Sequence, residues 1–416
     1  MTYLPRIVDA ELADLLKAAG AVLIEGPRAT GKTATAARAA LSEVLLDVDD
    51  NARRMIGVDP AIVLDGETPR LIDEWQLEPI IWNHVRRAID RRGTPGQFIL
   101  TGSAVPADDI ARHTGAGRLV RLRMRPLSLY ESGHSSGEIS LRRLLDGAEQ
   151  RTPQSEMSIA ALTEFVCAGG WPGHVGKALA GVLRLNRGYL DDVRRTDVSR
   201  AGAKTRDPVK VGRVLRSLAR NVATPASLST LAADAGDDDQ ALKTDTVAEY
   251  LDALERLMVV ENQPAWSPHL RSRTTLRRTP VRHFVDPSLA AAALSAAPAR
   301  LTADLQFLGL LFESLVVRDL RVYAQNTDAQ VFHYREKDGL EVDAVVEAAD
   351  GRWVAFEIKL GERWVDDGVK NLRRLAQRME QSDHGKPSAL AVIVPSGYGH
   401  VRPGEVGVIP IGALGP

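Results

Sequence analysis

The stretch Gly26-Pro27-Arg28-Ala29-Thr30-Gly31-Lys32-Thr33 satisfies every fixed position of the pattern G-x-x-x-x-G-K-[ST]. The chemistry such a stretch offers is capture of a phosphate chain. Gly26 and Gly31 allow the backbone to pass close to phosphate oxygens. The N–H groups of the loop and the N-terminus of a following helix present partial positive charge to those oxygens. Lys32 would reach the β- and γ-phosphates of a nucleotide, and the Thr33 hydroxyl would ligate magnesium. Pro27, Arg28, Ala29 and Thr30 complete the cradle. The flanks suit the motif. Ala21-Val22-Leu23-Ile24 is a short apolar run that reads as a buried strand, and the alanine-rich residues 33–40 read as a helix.

A second group of candidates lies downstream. Leu71-Ile72-Asp73-Glu74 is a short apolar strand end that delivers two carboxylates to a sheet edge, the form of a Walker B element. Asp73 would hold magnesium through water, and Glu74 would polarise an attacking water. Phe98-Ile99-Leu100 is another apolar strand, ending in Thr101-Gly102-Ser103. A hydroxyl there would sense a terminal phosphate, or would simply cap the strand. An arginine is expected near the transferred phosphate. Arg118, after Gly115-Ala116-Gly117, is the first candidate and Arg112 the second; solvated surface arginines are the other reading.

A third constellation is C-terminal. Leu340–Val346 and Trp353–Lys359 flank Ala349-Asp350-Gly351, a hairpin signal. With Asp350 at the centre, facing residues have numbers that sum to about 700, because each residue advance on one strand is a retreat on the other. Asp343 then faces Glu357 and Glu341 faces Lys359, while Val342, Ala344, Val354, Phe356 and Ile358 form a core side. Two facing carboxylates repel unless a cation sits between them. Oxygen ligands at that spacing suit magnesium, and Lys359 would orient a water or stabilise developing charge. Glu313 lies on a helix over residues 305–323 among Gly309, Leu310, Val316 and Val317, where a carboxylate needs a partner. The other reading is a salt-bridged hairpin on a solvated face.

The elements that must position these groups follow from composition and patterning. The chain of 416 residues has room for two to four domains, and its 44% hydrophobic and 26% charged residues describe a globular protein. A net charge of −1 provides no global field for nucleic acid, so such a site must be a local patch. The single cysteine, Cys167, excludes a disulfide framework and reads as a small buried residue. The N-terminus has no signal-peptide core, and no apolar run approaches a membrane span, so a cytoplasmic protein with no membrane association is expected. Strands alternate with helices over the first third, as in a parallel α/β sheet. Val44–Val48 reads as a strand followed by an acidic turn at Asp49-Asp50-Asn51. Trp82, Val85, Ala88 and Ile89 keep helical spacing. Residues 134–156 read as a polar linker or exposed loop. Residues 157–206 read as helices broken by the structural turn Gly169–Gly173. Helices beginning near Leu228 and Thr244 and a strand at Val259-Val260 follow the pattern of helix, turn, helix and wing. The second of these helices carries Asp245, Glu249, Asp252 and Glu255, which suits a major groove poorly. Residues 266–283 hold five arginines and no acid, able to track a phosphate backbone or to form a basic loop.

Nearly end to end, the chain resembles the bacterial and archaeal AAA-type ATPases that carry a C-terminal domain of unknown function. The resemblance rests on Gly26–Thr33, Leu71–Glu74, Leu100–Ser103, Gly117-Arg118, Gly169–Pro172, Thr246-Val247 with Tyr250-Leu251, Phe284-Val285-Asp286, and Gly309 with Phe312-Glu313. It implies an α/β chain: a P-loop NTPase core of AAA+ type over 1–155, a helical lid or connector over 156–206, a winged-helix domain over 207–290, and an α/β domain similar to PD-(D/E)XK restriction endonucleases over 291–416. It further implies ATP and Mg²⁺ as ligands. Asp343, Glu357 and Lys359 become the nuclease signature and Glu313 the helix carboxylate, with Val342 where the family pattern has proline. The expected protein is a magnesium-dependent ATPase whose nucleotide state controls a nuclease-like C-terminal domain. That domain and the basic stretch at 266–283 would contact DNA, and a homo-oligomer would let Arg118 act in trans. The alternative is a non-nucleolytic ATP-driven switch that docks a protein partner or binds DNA passively.

Overall fold

The computed structural model describes residues 3–102, 115–148, 150–155, 157–198, 206–236, 240–268, 279–336, 339–381, 385–402 and 404–416. Contacts divide the chain into two compact units. One gathers Met1–Arg125, Thr196–Arg206 and Asp252–Val259; the other gathers Pro126–Arg195, Asp207–Leu251 and Val260–Pro416. Ser103, Arg112, Asp237–Asp239 and the arginines at 271, 273, 277 and 278 lie outside the described residues.

The first unit is organised by strand β1 (Ala21–Glu25), with β2 (Ser42–Leu45), β3 (Arg70–Asp73), β4 (Phe98–Gly102) and β5 (Leu119–Arg123) in the order β2-β3-β4-β1-β5, all parallel. The unbroken apolar run of β1 is the signature of a strand covered on both faces. Ala21 and Leu23 join one core with Trp82, Val85, Ala88 and Ile89 of helix α5 (Ile81–Arg92). Val22 and Ile24 join the opposite core with Val8 and Leu12 of α1 (Val8–Ala18) and Ala36 of α2 (Lys32–Ala39). The acidic turn expected after β2 is instead the start of a helix. Asp49 accepts the Ala52 N–H as N-cap of α3 (Asp50–Ile56), and Asp59 caps α4 (Pro60–Leu64), which has proline at its first position. These are ordinary helix-start residues.

The second unit begins at Pro126 and takes in the stretch where a linker was expected. Residues 134–156 contain β6 (Ile139–Ser140), α6 (Leu141–Leu145) and β7 (Thr152–Ser155). Leu141, Leu144 and Leu145 fall at i, i+3 and i+4 and are all buried, an apolar stripe inside a polar composition. Helices α7 (Ile159–Ala168), α8 (Leu179–Asp192), α9 (Pro208–Arg220), α10 (Leu228–Asp234) and α11 (Thr244–Arg256) follow, α11 running across the boundary between the units. Then β8 (Val260–Gln263) pairs antiparallel with β9 (Val281–Phe284). The remainder comprises α12 (Pro287–Ala293), α13 (Pro298–Ala303), α14 (Leu305–Gln325), β10 (Ala329–Arg335), β11 (Glu341–Ala348), β12 (Trp353–Ile358), α15 (Val365–Gln381), β13 (Ala389–Val394), β14 (Gly397–Arg402), β15 (Val406–Pro410) and β16 (Leu414–Gly415).

Seven strands form one mixed sheet in the order β10-β11-β12-β13-β15-β14-β7. Its last strand comes from residues 152–155, and β6 pairs with β16, so residues well upstream complete the C-terminal sheet. The β11–β12 register is Ala344↔Phe356, Val345↔Ala355, Val346↔Val354 and Glu347↔Trp353, the register read from the Asp350 turn. Helix α15 contributes Val365, Val369, Leu372, Leu375 and Met379 to the core on this sheet.

One ionic cluster holds distant parts of this unit together. The Arg318 guanidinium, 3% exposed, donates to Asp286 Oδ2 at 2.8 Å and to Asp319 Oδ1 at 2.6 Å. Asp286 also accepts from the Gly170 and Ser288 N–H groups, and Asp319 from Leu129 N. Burial alone would push Arg318 toward its neutral form, but Asp319 and Asp286 outweigh it and hold the group above its usual pKa. Burial raises Asp319. The turn Gly169–Pro172 is therefore structural: Trp171 Nε1 donates to Ser288 Oγ at 3.1 Å, closing the same cluster. Arg318→Met strips both carboxylates of their cation and should destabilise this unit by about 3–5 kcal/mol, read as a lowered urea midpoint.

Candidate functional site

The phosphate-loop residues lie where β1 gives way to α2. Gly26 has no alternative at its position, because a Cβ there would meet Met124 O at 2.1 Å. Gly31 sits at φ 92°, a conformation side chains disfavour, and turns the chain into α2. Thr30 Oγ1 donates to Pro27 O at 2.9 Å and closes the loop on itself. Lys32, 6% exposed, donates from Nζ to Gly26 O at 2.9 Å and Pro27 O at 2.8 Å. Burial lowers its pKa to about 8, partly offset by Glu74 and Asp73. From outside, the buried guanidinium of Arg6 donates to Thr30 O at 2.9 Å and Arg125 O at 2.8 Å, tying the loop to the segment after β5.

Strand order brings the second group of candidates to this loop. β4 lies between β1 and β3, so Thr101 and Asp73 reach the same end of the sheet as the loop. Thr33 Oγ1 donates to Asp73 Oδ1 at 2.8 Å, and Thr101 Oγ1 donates to the same oxygen. Glu74 takes a left-handed backbone, φ 53° and ψ 42°, which costs of the order of 1–3 kcal/mol for a side chain of its kind. That turn places it on the wall of a cavity of about 550 Å³, with Arg28, Lys32, Thr33 and Asp47. Gln76 Nε2 donates to the Glu74 carboxylate. Burial raises the pKa of Glu74, opposed by Gln76 and Lys32.

Arg118 is not at this cavity. Leu119 pairs with Ala21 and Arg123 with Glu25, so Arg118 precedes β5 at the opposite end of the sheet from the loop, about 16 Å away at about 3.3 Å per residue. Its Nε donates to Asp90 at 2.7 Å. It cannot serve its own chain's phosphate loop. Two arginines near Lys32, Arg28 and Arg123, add to the lowering of its pKa. Arg123 was legible as the last residue of a strand beside β1. Arg28 pairs at 2.8 Å with Asp197, whose side chain is only 4% exposed, from the π-helical stretch Val193–Asp197. No spacing rule links residues 28 and 197.

In the second unit Glu313, Asp343, Glu357 and Lys359 do come together. Beyond Ala344↔Phe356 the ladder stops, and the Asp343 carboxylate accepts the Ile358 N–H at 2.7 Å. Lys359 Nζ lies 3.1 Å from Asp343 Oδ2 and also bonds Glu357. The Lys359 ammonium thus lies between the two acids. Among the described residues, no group of three or more His, Cys, Asp or Glu side chains is placed to hold a metal ion. Nor is this a solvated face: Glu357 is 1% exposed and accepts from Asn371 Nδ2 at 3.1 Å. Burial raises Glu357, and Asp343 adds to it. Burial would lower Lys359, but Asp343 and Glu357 hold it above its usual range. Glu313, half-buried, is pushed well up by burial and then by Asp343. Glu341 pairs with Arg335 at 2.9 Å rather than with Lys359. Gln263 went unnoticed in the sequence; its Nε2 donates to Phe332 O and Asp343 O, both at 2.9 Å, fixing the backbone under the acid.

Residues 18–133, which include the lining of this cavity, match the family model described as AAA domain. The chain carries a P-loop domain of the AAA type. Residues 159–300 match Domain of unknown function (DUF8612) and residues 308–414 match Domain of unknown function (DUF4143). The uncharacterized proteins Mb2031c of Mycobacterium bovis and Rv2008c of Mycobacterium tuberculosis are each 25% identical over 359 residues, spanning 85% of this chain and 73% of theirs. The Walker-type ATPase PABY2304 of Pyrococcus abyssi is similar with a TM-score of 0.41 at 13% identity, over 69% of this chain and 94% of that one. No helix among the described residues is long and apolar enough to cross a membrane.

A phosphate entering the AAA cavity competes with Asp197 for Arg28. Asp197→Asn should therefore tighten binding of a fluorescent ATP analogue by about fivefold, the equivalent of about 1 kcal/mol for one half-exposed charged bond. In an Arg28→Gln background the same change should do nothing. A structural role for Asp197 would weaken binding instead.

Proposed function

We propose that the AAA domain binds ATP with magnesium and hydrolyses it. The observation that carries this reading is the hydrogen-bonded set Thr33–Asp73–Thr101 beside buried Lys32 and Glu74 on one cavity wall. The donor set fits the ligands: a hydroxyl and a carboxylate are hard oxygens suited to magnesium, and a buried ammonium over a glycine loop suits phosphate. Magnesium bound there would neutralise phosphate charge. Lys32 exchanges its bonds to Gly26 O and Pro27 O for phosphate oxygens. Asp73 orients the Thr33 hydroxyl. Glu74 takes a proton from water, and the raised pKa that burial confers makes it a better base. Gln76 holds the Glu74 carboxylate in place.

Glu74→Gln should bind ATP with near wild-type affinity and lose turnover by a factor of about 10² or more. Lys32→Ala should lose tight binding. Wild-type turnover in Glu74→Gln would overturn the assignment. Arg118 enters this scheme only as a residue donated to a neighbouring copy in a homo-oligomer, and a cytoplasmic setting suits the reading.

For the second unit, the ammonium between Asp343 and Glu357 favours the non-nucleolytic switch over a nuclease. The metal roles of Glu313, Asp343 and Glu357, the winged-helix identity of residues 207–290, and DNA contact along 266–283 belong to the second reading. Lys359→Met separates the two. With the cation removed, Glu357 has a folded pKa still further above its unfolded value. A carboxylate raised in this way loses stability as pH climbs from about 4.5 through its folded pKa. The penalty of Lys359→Met should therefore be small near pH 5 and grow toward pH 9 in urea melts. If Mn²⁺ restores the stability of Lys359→Met, the acids hold a metal and the nuclease reading takes first place.

A further inference from the structure

A second cavity, of about 390 Å³, lies within the C-terminal unit, and three arginines contribute to its wall. Arg187 and Asp191 come from α8, Arg194 follows it, and Arg216 comes from α9; Ala292–Ser295, at and just beyond the end of α12, close the far side. The one acid on the wall is already engaged, since Arg194 Nε donates to Asp191 Oδ1 at 2.8 Å. Three guanidinium groups against one carboxylate leave a formal charge of +2 (three minus one) on a concave surface. Arg300 adds a fourth guanidinium beside it, donating to Leu294 O at 3.2 Å.

The charge does not stop at the cavity. α9 carries Lys210, Arg213, Arg216 and Arg220 and no acid along its length. At 100° per residue these four fall within about 120° of one another, opposite buried Val211, Val214, Leu215 and Leu218. Arg220 pairs across helices with Asp234 at 2.9 Å and remains 65% exposed. From Lys210 to Arg220 the stripe runs about 15 Å, the length over which one strand of a duplex carries about four phosphates. In a chain of net charge −1 such a patch is local, not the overflow of a basic composition.

We infer that the α8–α9 face binds the phosphodiester backbone of double-stranded nucleic acid, with one phosphate seated among Arg187, Arg194 and Arg216. Among the described residues no aromatic side chain lines the cavity, so these residues offer no stacking platform for unpaired bases. The contacts are to phosphate alone, and the binding is indifferent to sequence. This moves the contact away from α11, whose acids repel a backbone, and it does not depend on ATP hydrolysis.

The test is anisotropy of a fluorescein-labelled duplex of arbitrary sequence with the full chain, titrated in salt from about 50 mM to about 200 mM. Arg187→Ala/Arg216→Ala should bind at least about tenfold more weakly and lower the slope of log K against log salt by about 0.9, for the one phosphate these arginines seat. Lys32→Ala should bind duplex as the wild type does. Should the double variant lose its folded circular dichroism, Lys210→Ala/Arg216→Gln, on the exposed side of α9, gives the same reading. The inference is overturned if the wild type fails to bind duplex at low salt, if it prefers a single strand, or if a folded variant retains both affinity and slope.

Discussion

A guanidinium without water must be matched by carboxylates, and in the second unit Arg318 sets that demand. Asp286 and Asp319 answer it, and each has acceptor capacity left over for backbone N–H groups. Those N–H groups belong to Leu129, Gly170 and Ser288, so one buried charge fixes the start of the unit, the turn after α7 and the head of α12 together. Buried ionic clusters add little net stability, but they tolerate no loss of a member. The motifs Gly169–Pro172 and Phe284–Asp286 therefore reflect packing around Arg318, and the chemistry of this protein lies elsewhere.

In the AAA domain the governing constraint is the insertion of β4 between β1 and β3. It makes Thr101 the neighbour of both the loop and the acid, and its hydroxyl shares Asp73 Oδ1 with Thr33. Glu74 is then aimed by an unfavourable backbone conformation, not by a further strand. The loop itself is braced from two sides, by Arg6 from the N-terminus and by Asp197 through Arg28.

Much of this architecture could be read from residue patterns, and the failures have physical causes. The β11–β12 register followed from a single Asp-Gly turn because a hairpin allows no other pairing once its turn is set. The apolar run of β1 and the spacing of Trp82, Val85, Ala88 and Ile89 announced their elements plainly. Helix α3 was missed because Asp49 was read as a turn residue when it was an N-cap. Arg118 was chosen for its glycine neighbours; its position before a parallel strand already placed it at the wrong end. A cation between Asp343 and Glu357 was demanded by charge, but whether it is a metal or Lys359 depends on side-chain reach, which register alone does not specify. Asp197 and β7 are tertiary assignments across long stretches of chain, invisible to any local rule.

The pairing of β6 with β16 has a consequence for biosynthesis. Ile139 and Leu414 lie roughly 275 residues apart in the chain, so at a synthesis rate of about 5–20 residues per second a ribosome needs about 14–55 s to deliver the second after the first. During that interval β6 and β7 have left the tunnel without the strands that complete them, while the five strands of the AAA sheet are already available to one another. The nascent chain thus passes through a state in which an ATPase core has assembled and the unit around Arg318 has not. Its unpaired strand edges make that interval the one in which chaperones matter most to this protein.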